Sequence, residues 1–283
     1  MNCIEIKNVT KDFKNTRALD NINLKFEENK IYGLLGRNGA GKSTLLKIIS
    51  NRIFTDSGSI TVNGKNTCEN DSSQRKIYLM NESNLYPPKM KIKKAFQVTA
   101  SFYPDFDFEY ANKLAKLFNL NVNKQIRSLS TGYTSIFKVI TALSVNTPYV
   151  FMDEPILGLD ANHRELFYKC LLEKYTDNPF CCIISTHIIE EVAGIIENVV
   201  IIKNGSIIRD TSCEELLSEG YTISGPAALA DKLAEGKNII GSDSIGGLKN
   251  IYIAGKNDIT EIPVGIEIVS MDLQKLFVQL TNS

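Results

Sequence analysis

The chain has 283 residues, with 32 basic and 32 acidic side chains and a hydrophobic fraction of 43%. This length allows one large or two modest domains with a sizeable core. The zero net charge argues against a general affinity for nucleic acids or anionic membranes. The first residues lack a signal-peptide hydrophobic region, and no apolar run approaches the roughly 20 residues that span a bilayer. We therefore expect a soluble, cytosolic protein.

Alternating apolar residues predict antiparallel strands near the start of the chain. Ile4 and Ile6 alternate with polar residues, as do Ile22 and Leu24 further on. A period of two is typical of half-buried strands. A further strand is predicted over residues 57–64, where it ends in an Asn-Gly turn signal.

A phosphate-binding motif lies between these strands. Residues 36–43 read GRNGAGKS and fit the pattern G-x-x-x-x-G-K-[ST]. An apolar run over 30–36 predicts the strand that enters the loop, and 43–50 predicts the helix that leaves it. Glycines let backbone N–H groups surround phosphate oxygens. Lys42 supplies charge for the β- and γ-phosphates, and Ser43 offers a hydroxyl to Mg²⁺. The motif predicts a triphosphate site at a helix N-terminus.

Paired carboxylates follow a later strand. After a region of helical pattern at about 90–128, residues 148–152 and 180–185 are continuous apolar runs, as expected for parallel strands covered on both faces. The first of these runs ends in Asp153 and Glu154. Such a pair suits phosphoryl transfer, with Asp153 on Mg²⁺ and Glu154 polarising the attacking water.

A second helix N-terminus is predicted between the two sites. Residues 129–133 read LSTGY and precede an apolar helix. Ser130 is then a helix cap with Gly132 beside it, and a helix end of this kind can bind an anion.

The last part of the chain, from about residue 221, predicts a small α/β subdomain. Pro226 and Gly236 bracket a helix over 227–235, and strands are predicted at 251–253 and 265–269. Ser270 is predicted to cap a final amphipathic helix.

The order of these motifs resembles that of the ATP-binding cassette (ABC) ATPases, the nucleotide-binding subunits of ABC transporters. The resemblance covers about residues 1–215 and also rests on Gly-Leu-Asp at 158–160 and Ser-Thr-His at 185–187. It implies an α/β fold: a RecA-like P-loop NTPase core with an antiparallel β subdomain and a helical signature subdomain. Segments 101–107 and 269–277 are also similar to bacterial exporter-type ATPases with a C-terminal appendix.

The resemblance also implies domain limits. The cassette domain is expected at 1–216, its helical subdomain at about 82–140, and a C-terminal accessory α/β domain at 217–283.

The resemblance implies site roles as well. The nucleotide is expected to contact Phe13 through adenine and to bind its phosphates at Gly36, Asn38, Gly39, Ala40, Gly41, Lys42, Ser43 and Thr44. Mg²⁺ is expected on Ser43, Asp153 and Asn81, and the catalytic residues are Glu154 as base, His187 at the γ-phosphate, and Asn81. Asp160 is expected at a dimer seam, where Ser130 and Gly132 contact the partner's nucleotide. His163, the other histidine, is expected to be a solvated surface residue.

The implied partners are a second ATP-binding subunit, in a head-to-tail dimer, and a separate transmembrane subunit that docks from about residue 85 onward. ATP and Mg²⁺ are the implied cofactors, and no nucleic acid is expected. Hydrolysis would energise transport, with a lean toward export, from the inner face of the cell membrane.

Two departures from the family pattern leave alternatives open. Asn81 stands where the family has glutamine, beside Glu82, and LSTGY stands where the family has LSGGQ. One alternative is a cassette switch that acts on DNA or ribosomes; the short gap between the motifs, the single cassette and the neutral charge oppose it. Another is a regulatory cassette without hydrolysis, which Glu154 opposes and Asn81 favours weakly.

Overall fold

The computed structural model describes residues 2–282. Its strands have these bounds: β1 Cys3–Phe13, β2 Thr16–Glu27, β3 Ile31–Leu35, β4 Ser57–Val62, β5 Lys65–Asn66, β6 Ile77–Met80, β7 Tyr149–Asp153, β8 Cys181–Thr186, β9 Asn198–Lys203, β10 Ser206–Ser212, β11 Gly220–Pro226, β12 Ile239–Ile245, β13 Leu248–Ala254 and β14 Glu267–Ser270. Its α-helices have these bounds: α1 Lys42–Ile49, α2 Asp71–Gln74, α3 Ile92–Phe102, α4 Phe108–Leu117, α5 Thr131–Ser144, α6 Ala161–Asp177, α7 Cys213–Ser218, α8 Ala227–Ala234 and α9 Leu273–Asn282.

The chain divides into two compact units. Unit 1 comprises Met1–His187 and Val200–Arg209, and unit 2 comprises Ile188–Val199 and Asp210–Ser283. The domain limits expected from the sequence stay predictions, because compactness alone does not show which part of a chain folds or acts by itself.

Unit 1 is built on two sheets. Within the described residues, one has the strand order β2-β1-β4-β5, and the other has the order β10-β9-β3-β8-β7-β6. Strands β6, β7, β8 and β3 pair in parallel, and every residue of β3, β7 and β8 is buried. The continuous apolar runs are explained by this burial on both faces. The predicted α/β architecture with an antiparallel subdomain is confirmed.

The register of the parallel sheet gathers the motifs at one edge. Leu35 at the end of β3 pairs with Thr186 at the end of β8, and Asp153 at the end of β7 pairs with Ser185. The carboxyl ends of these strands therefore lie side by side, with the phosphate loop following the first of them. Ligands of open parallel sheets bind at this edge.

A shared hydrophobic core joins the two sheets of unit 1. It contains Phe26 from the antiparallel sheet, Leu34 and Phe151 from the parallel sheet, and Leu45 from α1, all of them fully buried. The antiparallel and parallel sheets are thus packed through shared apolar side chains, and the first turn of α1 is fixed against both.

Unit 2 contains the antiparallel order β12-β13-β11-β14 within the described residues. Ile223, Ala230 and Ile251 lie at the centre of its core. The predicted helix over 227–235 is confirmed as α8. The prediction for Ser270 is wrong: it ends β14, and Asp272 caps α9 by accepting from the backbone N–H of Gln274 at 2.8 Å. An aspartate is as good a cap as a serine, so the choice depends on where β14 ends.

No helix within residues 2–282 is both long enough and apolar enough to cross a bilayer.

Candidate nucleotide-binding and catalytic site

The loop between β3 and α1 is fixed by close backbone contacts. A Cβ at Gly36 would lie 2.6 Å from the carbonyl oxygen of Ile202, and a Cβ at Gly41 would lie 2.7 Å from that of Ala18. Gly41 also has φ of 115° and stands directly before α1. Only glycine fits both constraints at Gly41. The loop is therefore shaped by its neighbours within the chain.

Lys42 lies inside this loop. Its side chain is 6% exposed, and its Nζ donates to the carbonyl oxygen of Gly36 at 2.6 Å. Burial lowers the pKa of Lys42, while the nearby Glu154 and Asp153 carboxylates act in the opposite direction. Burial disfavours the charged form of this ammonium. An anionic ligand beside it favours the charged form and so offsets part of the cost of burial.

The two carboxylates after β7 are held by the residues that end β8. Ser185 Oγ donates to Asp153 Oδ1 at 2.9 Å, and Thr186 Oγ1 donates to Glu154 Oε2 at 3.2 Å. His187 Nδ1 lies 2.9 Å from Glu154 Oε1. Sequence reasoning gave no role to Ser185 or Thr186. The sequence did contain an indication of this contact, because β7 and β8 were predicted as parallel strands and adjacent parallel strands end at the same edge of a sheet.

Glu154 has an unusual backbone conformation. Its φ is 49°, a left-handed value that costs a non-glycine residue about 1 kcal/mol. Its own N–H donates to the carbonyl oxygen of Ser185 at 2.9 Å. Backbone strain of this kind gathers at functional sites, where the surroundings over-determine it. Here it aims a carboxylate, 15% exposed, toward the phosphate loop.

A cavity of about 730 Å³ unites most of the expected site. The expected residues that line it are Asn38, Gly39, Ala40, Gly41, Lys42, Ser43, Thr44, Glu154 and His187. Glu82, noted from the sequence as the neighbour of Asn81, also lines it, and sequence reasoning missed the other lining residues, namely Thr16, Arg17, Ala18, Leu157, Asn204 and Gly205. Thr16, Arg17 and Ala18 begin β2, and the others lie in the segments after β7 and β9. Sheet packing brings them to the cavity, so local patterns do not reveal them.

A second cavity of about 280 Å³ adjoins the first. It contains Asp153 and Asn81, and Glu82, Glu154 and Leu157 line both cavities. Asn81 is 8% exposed, and within residues 2–282 its Oδ1 is buried without a hydrogen-bond partner. A buried, unsatisfied amide oxygen next to a carboxylate is a ready ligand for a cation or a water molecule.

Phe13 lies beside the larger cavity without lining it. It is 46% exposed, which rules out a core position, and it pairs with the cavity residue Thr16 in the β1–β2 hairpin. Lys11 Nζ lies 5.4 Å from its ring centroid.

Ser130 and Gly132 are not among the residues that line either cavity in the described structure. Ser130 is the predicted N-cap of α5 and accepts from the backbone N–H of Tyr133 at 3.3 Å. A Cβ at Gly132 would lie 2.6 Å from the carbonyl oxygen of Gly158. Gly132 therefore has a packing role within the chain that the motif alone did not indicate.

Asp160 caps α6 and contacts His163. The His163 backbone N–H and its side chain lower the pKa of Asp160, and His163 Nδ1 lies 2.9 Å from Asp160 Oδ2. His163 is partly exposed at the surface, as predicted, but it also makes contacts that the sequence did not indicate. Its ring stacks on Phe118 with centroids 6.1 Å apart, and its side chain is 26% exposed. The polar residues around His163 in the sequence did not indicate that Phe118, at the end of α4, packs against the imidazole ring.

A phosphate loop between β3 and α1, with a carboxylate pair at the end of a neighbouring parallel strand, defines the class of P-loop nucleotide hydrolases. Residues 19–157 match the model of the ABC transporter family.

Comparison with curated proteins identifies the family. The chain is 31% identical over 220 residues to the ABC transporter ATP-binding protein MJ1023 of Methanocaldococcus jannaschii, covering 75% of this chain and 79% of that one. It is 27% identical over 216 residues to the ABC transporter ATP-binding protein YtrB of Bacillus subtilis, covering 76% and 74%. It is also 26% identical over 223 residues to the petrobactin import ATP-binding protein YclP of Bacillus subtilis, covering 76% and 88%.

Solved structures agree in fold. A dimeric structure of the ATP-binding cassette MJ0796, in a post-hydrolysis state bound to ADP and Pi, superposes with a TM-score of 0.66 at 23% identity, over 74% of this chain and 98% of that one. The chain belongs to the family of ABC transporter ATP-binding subunits. It is an ATPase that energises transport. The expected export direction is not confirmed, because the relatives include proteins named for import.

Proposed function

We propose that the chain binds ATP and Mg²⁺ in the two adjoining cavities and hydrolyses ATP there. The observation that carries this proposal is the convergence on Glu154, whose carboxylate meets Thr186 Oγ1 at 3.2 Å and His187 Nδ1 at 2.9 Å beside the buried Lys42. The loop of residues 36–44 surrounds the phosphates through its N–H groups. Lys42 neutralises the β- and γ-phosphates, and Phe13 stacks on the adenine.

The residues present fit Mg²⁺. Ser43, Asp153 and Asn81 offer a hydroxyl, a carboxylate and an amide oxygen, which are the hard ligands that this cation takes beside phosphate oxygens. The buried Asn81 Oδ1 without a partner in residues 2–282 supports this assignment. When bound, Mg²⁺ neutralises charge on the phosphates.

Glu154 acts as the general base toward the attacking water. A carboxylate accepts the water's proton only if it is held in line, and the contacts from Thr186 and His187 hold it. His187 orients the water and contacts the γ-phosphate. The water oxygen bonds to the γ-phosphorus while the bond from that phosphorus to the bridging oxygen of ADP breaks, so ADP and phosphate are released.

The chain works as a head-to-tail dimer with a separate transmembrane subunit, at the inner face of the cell membrane. Ser130 and Gly132 contact the nucleotide of the second subunit, and Asp160 lies at the seam. The dimeric state of the solved cassette supports the dimer of this proposal. The membrane subunit docks on the groove around Leu85 and Phe102, which are 60% and 66% exposed. The proposed direction of transport is export, because segments 101–107 and 269–277 are similar to those of exporter-type ATPases.

The test is Glu154→Gln. The amide keeps the shape and loses the basicity, so ATP binding is kept while turnover falls by about 10²- to 10⁴-fold. Size-exclusion chromatography with Mg-free ATP should then show an accumulated dimer. Glu165→Gln, at an exposed position on α6, is the matched control and should behave as the wild type. Wild-type hydrolysis in Glu154→Gln would refute the assignment of the base.

A further inference from the structure

Lys138 on α5 stands between the catalytic cavity and the proposed docking groove. The groove has a volume of about 240 Å³, and three residues line both it and the smaller catalytic cavity, namely Met80, Asn81 and Lys138. Lys138 is the charged member of the three. No motif marked it, because it lies in the apolar pattern of α5, two turns beyond Ser130.

Lys138 holds the segment that carries Asn81. Its Nζ donates to the backbone carbonyl oxygen of Glu82, the next residue along the chain. A hydrogen bond from an ammonium is stronger than one between neutral groups. Burial lowers the pKa of Lys138, and the Glu82 carboxylate acts in the opposite direction. The bond runs from α5 to the segment just after β6, so it adds a polar contact between two elements that lie far apart in the sequence and already pack against each other.

Asn81 depends on such an anchor. Asparagine has a short side chain, so the position of its amide follows the position of its backbone closely. The Asn81 side chain makes no hydrogen bond through Oδ1 within residues 2–282. Contacts on the backbone around Asn81, the bond to the Glu82 carbonyl among them, therefore set where the amide points.

We propose that Lys138 is a positioning residue for ATP hydrolysis: by holding the Glu82 carbonyl, it places the Asn81 amide in the cavity beside Asp153. This inference rests on the proposed function of that cavity. Lys138 also lines the docking groove. A partner bound in that groove can therefore act on hydrolysis through Lys138 and the placement of Asn81.

The experiment measures steady-state ATP hydrolysis by the full chain and by Lys138→Met, Lys138→Arg and Asn81→Ala variants. Lys138→Met keeps an unbranched stem and removes the donor. It should lower kcat about tenfold and leave KM for ATP within about twofold, because misplacement of a positioning group acts on the reacting geometry rather than on ground-state binding. Lys138→Arg should retain most of the rate, since a guanidinium also donates to a carbonyl.

A double-mutant cycle decides whether Lys138 acts through Asn81. If it does, Lys138→Met with Asn81→Ala should be no slower than Asn81→Ala alone. Losses that multiply, or a raised KM with unchanged kcat, would overturn the proposal. Lys116→Met, on the exposed side of α4, is the matched control and should keep the wild-type rate.

Two arrangements keep the test decisive. If Lys138→Met melts well below the wild type, Lys138→Gln replaces it in the same assay. The amide of glutamine is a donor on a shorter side chain that does not reach the Glu82 carbonyl, so the same loss of rate is expected. The outcome of Glu154→Gln is read separately. A loss of hydrolysis in Glu154→Gln together with full activity in Lys138→Met would remove this inference and leave the proposed function standing.

Discussion

Two helix N-termini of unit 1 are proposed to contact phosphate, and their surroundings in the structure differ. At α1, the loop closes on itself: Lys42 is buried, and Gly36 and Gly41 leave no room for a side chain beside Ile202 and Ala18. At α5, Ser130 is exposed and caps its own helix by accepting from the backbone N–H of Tyr133. The first end is built for a ligand within one chain. The second is preformed and open, as expected of a surface that meets a ligand held by another subunit.

The packing behind each end explains the difference. The first turn of α1 lies on the core that joins both sheets, with Leu45 and Leu46 fully buried. The first turn of α5 is fixed instead to the segment after β7: Gly132 packs against the Gly158 carbonyl, and Ser135 Oγ donates to the Leu157 carbonyl oxygen at 2.7 Å. The second end is thus held rigid without being enclosed.

The largest effect on ATP binding is expected from Lys42→Ala, which breaks the closed end. Lys42 is the ammonium that lines the larger cavity at the phosphate loop. Hydrogen bonds to charged groups contribute about 1.5–3 kcal/mol, so ATP affinity should fall by roughly 10- to 100-fold and tight binding should be lost. Titration with a fluorescent nucleotide measures this. Unchanged affinity would refute the loop assignment. Lys47→Ala, at the far end of α1, is the control.

Ser130→Arg tests the open end and should act only through the partner. A bulky cation there obstructs contact with the second subunit's γ-phosphate, so turnover of the variant alone should be blocked while its own phosphate loop still binds ATP. Mixing it with Lys42→Ala chains should restore part of the activity, because one composite site of the mixed dimer has both contacts intact. Absence of rescue at every ratio, with the mixed dimer shown to form, would count against a head-to-tail arrangement.

The smallest effect is expected between the two ends, at Asn81. Asn81→Gln lengthens the amide by one methylene toward Asp153, so it should raise the basal ATPase rate by a few fold and leave ATP affinity nearly unchanged, since a direct contact replaces a looser, water-mediated one. Steady-state kinetics compare this variant with Glu82→Ala. A large loss in Glu82→Ala with no change in Asn81→Gln would transfer the role to Glu82, which lines the same two cavities.

Local patterns predicted much of unit 1 and less of unit 2. Continuous apolar runs predicted β7 and β8 because strands buried on both faces carry apolar residues at every position. Strand β12 escaped notice, since its sequence IIGSDSI is mostly exposed at a sheet edge and lacks both alternation and continuity. The cap of α9 was misplaced for a related reason, because β14 pairs with β11 as far as Ser270.

The sequence by itself determined the loop at residues 36–43, the carboxylates at the end of β7, and the order of motifs that identifies the family. Each of these depends on residue types at fixed spacing, which is a local property. Tertiary structure alone decided that Thr186 and His187 hold the Glu154 carboxylate, that the Glu154 backbone is left-handed, that Gly132 packs against Gly158, and that Lys138 reaches the Glu82 carbonyl. These contacts join residues distant in the chain, and the register of the sheet and the packing of α5 set their distances.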